Sequence, residues 1–254
     1  MCCFAGSVVP HVSNTRIFAR TFMGEATLVY SLELSVKDTV AMILPVPIAL
    51  RSPEAGAVTE DALRFVNLEG YPKFFDDLER GFPRPLAARG GFGFAPQAAA
   101  MLAVQTVGAF EASFVPNVEA FARLDPRFVL APDVWQSLPH YRDYGFAVFR
   151  LSPGTNKHVH PMAFRFPTRF VDHVFFPTVH VHDGHVHETA SFDHALYYQV
   201  ERPLRGNEIS STGAAASFMD PEKALGLVEL GLPVGKMELR GSFQNSDYFV
   251  QHRS

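Results

Sequence analysis

Residues His180 to His187 read His-Val-His-Asp-Gly-His-Val-His, and four imidazoles in eight positions are the densest concentration of chemistry in the chain. An Asp-Gly pair flanked by alternating residues is a strong local signal for a two-residue hairpin turn, because both central positions need φ > 0. In such a hairpin His182 opposes His185 and His180 opposes His187. Strand side chains alternate between faces, so all four imidazoles are expected on one face, with Val181 and Val186 on the other. Opposed Cβ atoms in an antiparallel pair lie roughly 4.5–5.5 Å apart, a separation at which two imidazoles can share one metal ion.

Neutral imidazole is a ligand for zinc, copper, iron and nickel. His180 and His182 continue the apolar run from Val174 (VFFPTVHVH) and are expected nearest the core. His187, facing His180, is a third candidate ligand, and His160 a fourth from a neighbouring strand. His158, which forms an i, i+2 pair with His160, and His194 extend the set. His185, beside the turn, is expected to be solvated. Asp183 and Asp193 are candidates for orienting ligand rings through hydrogen bonds. One histidine on a strand is usually incidental, whereas several converging on one face can chelate. A polar, solvated hairpin tip with incidental histidines is the competing reading.

The only cysteines are Cys2 and Cys3. Adjacent cysteines do not staple distant parts of a fold. They offer soft thiolate ligands, which favour copper beside the imidazoles. Removal of Met1 would also give Cys2 a free α-amino group able to act as base for its own thiol, the logic of N-terminal nucleophile amidohydrolases. Residues 2–20, with Arg16 and Arg20 soon after the cysteines, resemble the start of the cysteine-type members of that class. Lipidation of the terminus, or two ordinary small residues entering a strand, are the remaining readings.

The elements that must position these groups are mostly strands. The 254 residues are enough for one large domain. Thr15 to Arg20 and Leu28 to Leu34 alternate, and Thr39 to Pro47 is an apolar run expected to be a buried strand. Asp61 to Val66 follows. Tyr71 to Phe82 has helical spacing of Phe74, Phe75 and Leu78. Met101 to Val107 and Phe110 to Val115 read as strands, then Asn117 to Leu124 and Pro132 to Leu138 as short helices, the first capped by Asn117. Strands are expected at Tyr144 to Leu151, His158 to Phe166, Val174 to His182, His185 to Phe192 and Leu196 to Val200. Residues 203–222 read as a loop, and Lys236 to Val250 as one more strand. The expectation is an α+β fold, mostly antiparallel sheet in a sandwich or partly open barrel with a few short helices. It forms a single domain over 1–254, or two β-rich halves (1–82 and 98–254) joined by the Pro/Gly/Ala-rich loop 83–97.

Composition narrows the function. A net charge of −4 without a basic run leaves no electrostatic footprint for nucleic acid. No apolar run approaches the roughly 20 residues that span a bilayer, and the N-terminus lacks the pattern of a secretory signal, so a cytoplasmic location away from membranes is expected. Twenty-four Phe against one Trp point to a Phe-packed core.

In order, VAMILPVP, DALRFVNLEGYPKFF, VGAFEASFVPNVEAFARL, YGFAVFRL and HPMAFRFP resemble a bacterial family, the domain-of-unknown-function family numbered 2330, over most of residues 2–180. That family supplies no activity to carry over, and the histidine hairpin is not part of its pattern. Its members are generally exported, which this N-terminus does not suggest. A group of bacterial proteins opening Met-Cys-Cys-Phe is similar over nearly the whole chain. The sequence is therefore read as a copper- or zinc-dependent protein, favoured to be an enzyme, acting on a small molecule or peptide through histidines and Cys2. A metal-free cysteine amidohydrolase with Cys2 as nucleophile and a metal-storage protein are the alternatives.

Overall fold

The computed structural model describes residues 3–6, 9, 11–49, 61–83, 105–107, 110–158, 160–201 and 209–251. The chain runs through strands β1 (Cys3–Ala5), β2 (His11–Phe22), β3 (Glu25–Val36), β4 (Val40–Val46) and β5 (Arg64–Asn67), then helix α1 (Phe74–Arg80). Strands β6 (Gln105–Val107) and β7 (Phe110–Val115) lead into 3-10 turns and helix α2 (Pro132–Ser137). Strands β8 (Gly145–Leu151), β9 (Gly154–His158), β10 (Met162–Pro167), β11 (His173–Phe176), β12 (Thr189–Gln199), β13 (Ile209–Ser210), β14 (Gly235–Gln244) and β15 (Tyr248–Gln251) complete it.

This is a mostly β fold, which corrects the α+β expectation. Among the described residues 47% are strand and 13% helical. The helical spacings are real, but each covers only one or two turns. Phe74, Phe75 and Leu78 are buried on α1. Asn117 does cap its segment, its Oδ1 accepting the Ala120 N–H at 2.8 Å, yet the segment it caps is a five-residue 3-10 helix.

The strands form a five-stranded sheet (β1-β4-β8-β7-β6), a larger sheet (β13-β14-β12-β2-β3-β10-β5, with β9 also on β3) and the pair β11-β15. Each large sheet mixes strands from the 1–82 and 98–254 halves, so the two halves interleave; the expected connecting loop falls, from residue 84 on, outside the described residues. Pairing is antiparallel except between β2 and β12, where His194 lies opposite Thr15. The separate strands expected around His185–Phe192 and Leu196–Val200 merge into β12, and the tail holds two strands, β14 and β15, rather than one.

The two large sheets share one core, in which Met42 and Leu44 of β4 and Phe149 of β8 meet Tyr30 of β3, Phe164 of β10 and Leu196 of β12. Their outer faces are covered too. Helix α1 and residues around Phe218 and Leu227 pack on Phe18, Val29 and Tyr197 of the larger sheet. Much of the segment expected to be a loop thus supplies buried packing. The turns around α2 and the chain at Val179 and Val181 cover Cys3, Ile43 and Phe146 of the smaller sheet. Burial on both faces explains why β4 is a continuous apolar run, buried at all seven positions.

Candidate functional site

The histidine-rich segment does not form the expected hairpin. After β11 the chain runs on to Val181, which bridges to Cys3, then bends at 182–184 and again at 188 without pairing back to 180–182. A type I′ turn needs φ > 0 at both central residues; Gly184 has φ +82°, but Asp183 is not in the left-handed region. Met23 and Gly24, at φ +48° and +77°, meet that requirement and join β2 to β3 instead.

Hydrogen-bond accounting gives the reason. Each backbone N–H and C=O needs a partner when buried, and the His180 N–H and the carbonyls of 180–182 are already taken. Asn245 Oδ1 accepts the His180 N–H at 2.7 Å, and Asn245 Nδ2 donates to the His180 carbonyl at 2.9 Å. On the other side, Phe4 N–H donates to the Val181 carbonyl at 2.9 Å and Val9 N–H to the His182 carbonyl at 3.3 Å. The segment is therefore clamped between β1 and the turn from β14 to β15. That turn also contributes Asp247, whose Oδ1 accepts the N–H groups of Thr178 at 2.9 Å and Val179 at 3.3 Å. Asp247 is partly buried, and its Oδ2 accepts the Tyr141 hydroxyl at 2.6 Å. Burial raises its pKa against the opposing pull of these bonds. Sequence reasoning missed Asn245 and Asp247; the run Asn245-Ser246-Asp247 carries a turn signal but nothing that names its partners.

Alternation in the extended segment places Val179 and Val181 in the cluster over the smaller sheet and His180 and His182 on the opposite side. Their rings lie nearly parallel, 10° apart with centroids at 5.2 Å. His194, on the core-facing side of β12 with Phe192 and Leu196, brings a third ring 5.3 Å from His180 at 19°. Phe192 lies 4.4 Å from His180, and Phe4 meets His182 edge-on at 5.5 Å. His194 is fully buried, His180 is 7% exposed and His182 partly buried.

Burial is the chief cause that lowers all three imidazole pKa values, His180 to about 2, His182 to about 4 and His194 well below the ordinary value. All three rings are neutral at pH 7. The Asp193 backbone N–H donates to His194 Nδ1 at 3.1 Å, which leaves the ring proton on Nε2. The Nε2 atoms of His180 and His182 are buried and have no hydrogen-bond partner among the described residues. Unsatisfied buried polar atoms are costly and rare.

The other candidates are elsewhere. His187 is exposed, with Nε2 2.9 Å from Asp183 Oδ2, and Asp183 Oδ1 accepts the His185 N–H at 3.0 Å. His187 is therefore not opposite His180. His185 is exposed, as expected. His160 packs against Phe110 with ring centroids 4.0 Å apart and tilted by 41°, its Nδ1 3.1 Å from the Pro161 carbonyl oxygen. His158 ends β9, its side chain outside the described residues. Asp193 accepts from Asn14 N–H at 3.0 Å and pairs with Arg240 at 2.7 Å, so its carboxylate does not orient His194. Cys3 is buried on the Val181 side of the segment, with Ile43 and Val179. Cys2 lies outside the described residues, and with it the nucleophile expectation. Among the described residues no three of His, Cys, Asp and Glu converge on one ion position, and no helix is long and apolar enough to cross a membrane.

No family model and no curated protein matches the chain. It is similar to the crystal structure of a mutated baculovirus P35 after caspase cleavage, at TM-score 0.48 and 14% identity over 95% of this chain and 100% of that one. A second structure of mutated baculovirus P35 after caspase cleavage gives 0.43 and 13% over 97% and 100%. A caspase-8/P35 complex gives 0.45 and 12% over 94% and 96%. Likeness at this level assigns neither a family nor an activity.

Proposed function

We propose that this protein binds a transition-metal ion, copper or zinc, through His180 and His182, with His194 packed behind them. The observation that carries the reading is the pair of neutral imidazoles, His180 buried and His182 partly buried, with ring centroids 5.2 Å apart and buried Nε2 atoms that lack a described partner. A lone pair on neutral imidazole is what a metal requires. Chelation would satisfy two polar atoms that otherwise stand desolvated and unbonded. Bringing both Nε2 atoms to one ion requires the two rings to turn out of their near-parallel arrangement against Phe192 and Phe4, a movement that breaks no described hydrogen bond of those atoms.

The burial of His180 and His194 favours holding an ion over processing a substrate, because a reaction at the metal needs an open coordination position with access to it. Binding without turnover is thus the form of the proposal that the geometry supports best. The test is equilibrium dialysis of the full chain against zinc and, under reducing conditions, against copper, with metal content read by mass spectrometry. The expected result is about one ion per chain, lost in His180→Ala/His182→Ala and retained in His187→Ala. Equal metal in the wild type and the double variant would overturn the reading.

A further inference from the structure

The chemistry around the paired imidazoles also discriminates between ions. We infer, resting on the metal-binding reading above, that the site takes a monovalent soft cation, copper(I), in preference to zinc(II). The rings packed against His180 and His182, those of His194, Phe4 and Phe192, are uncharged; the charges that reach the pair are the chain's positive amino group, which lowers the pKa of all three imidazoles, and Asp183, which raises that of His182. Each neighbouring carboxylate is engaged elsewhere. Asp183 bonds His187 and the His185 N–H, Asp193 pairs with Arg240, and Asp247 is taken by Tyr141 and the backbone of Thr178 and Val179. The Cys3 thiol lies on the other side of the segment.

A site built from neutral ligands and aromatic rings leaves the ion's full charge to be desolvated. The Born cost scales with the square of the charge, so a divalent ion costs roughly four times as much as a monovalent ion of similar size. Zinc(II) also seeks four ligands in a tetrahedron. This cluster offers two nitrogens without a described partner, because Asp193 N–H occupies the His194 Nδ1 lone pair. Copper(I), a closed-shell cation content with two donors, matches the donor number, and the nearby positive amino group repels a monovalent ion less than a divalent one. Imidazole is a competent copper ligand.

The test is an anaerobic competition titration of the full chain. Copper(I) is held by bathocuproine disulfonate, and zinc(II) in a parallel series by a pyridylazo dye. Wild type is compared with His180→Ala/His182→Ala and with His187→Ala. The expected result is one equivalent of copper(I), bound at least about a hundredfold more tightly than zinc(II), with the preference lost in the double variant and intact in His187→Ala. Zinc(II) bound as tightly as copper(I) through the same histidines would overturn this inference and leave the metal site standing. Neither ion bound more tightly than by the double variant would overturn both. Should the double variant lose its β-sheet circular dichroism, His182→Gln at the partly buried position makes the same comparison.

Discussion

Replacing Asn245 by Ala removes the clamp on the segment that carries His180 and His182. Asn245 makes three hydrogen bonds to that region: to the His180 N–H at 2.7 Å, the His180 carbonyl at 2.9 Å and the His187 carbonyl at 3.0 Å. His187 is exposed, so its carbonyl can rehydrate at little cost. His180 is 7% exposed, and its backbone N–H and C=O would be left buried without partners. At about 1–3 kcal/mol for each of the two unsatisfied groups, Asn245→Ala should cost about 2–6 kcal/mol. Urea unfolding followed by circular dichroism measures this as a shift in midpoint at unchanged m-value. Asn245→Asp keeps an acceptor for the His180 N–H and loses the donor, and should fall between wild type and Asn245→Ala. Metal affinity should drop in the same order, since His180 loses its register against His182. A loss below about 0.5 kcal/mol for Asn245→Ala, within the range of an ordinary surface change, would show that the segment is held by something other than this clamp.

Acid should destabilise the protein in the presence of a chelator. The folded pKa values of His180, His182 and His194 lie below the unfolded value near 6.5, so the unfolded chain binds protons that the folded chain excludes. Stability is intact above about pH 6.5 and falls as the pH drops toward about 4, where His182 begins to titrate, by up to about 1.4 kcal/mol per pH unit for each imidazole. Denaturant midpoints from pH 7 to 5 that do not move would refute the burial of the cluster. Gly235 pairs with Tyr198, and a Cβ there would lie 2.5 Å from the Tyr198 ring. Gly235→Ala should therefore cost about 1–3 kcal/mol by overpacking, and a thermal midpoint equal to wild type would contradict that approach.

How far the sequence could be read depended on whether the deciding contacts were local. The apolar run at β4 was legible because burial on both faces leaves no polar alternation to interpret. Helix α1 was legible from Phe74, Phe75 and Leu78. The α+β expectation failed because spacing shows that a helix can form without showing that it stops after two turns. The histidine segment was legible as chemistry and misread as a hairpin. Asp-Gly pairing presumes that the flanking backbone groups are free, whereas those of His180 go to Asn245, 65 residues away, and the carbonyls of Val181 and His182 to the first strand and the residues just after it. His187 therefore gave way to His194 as the neighbour of His180. The alternation of Phe192 and His194 along β12 was the one local signal that placed His194 on the core face.

X-ray absorption at the copper edge, on protein loaded anaerobically with one equivalent of copper(I), tests the central claim most directly. The expected spectrum is that of copper bound by two imidazole nitrogens with no sulfur neighbour, lost in His180→Ala/His182→Ala. A copper–sulfur signal, or a nitrogen signal unchanged in the double variant, would contradict it.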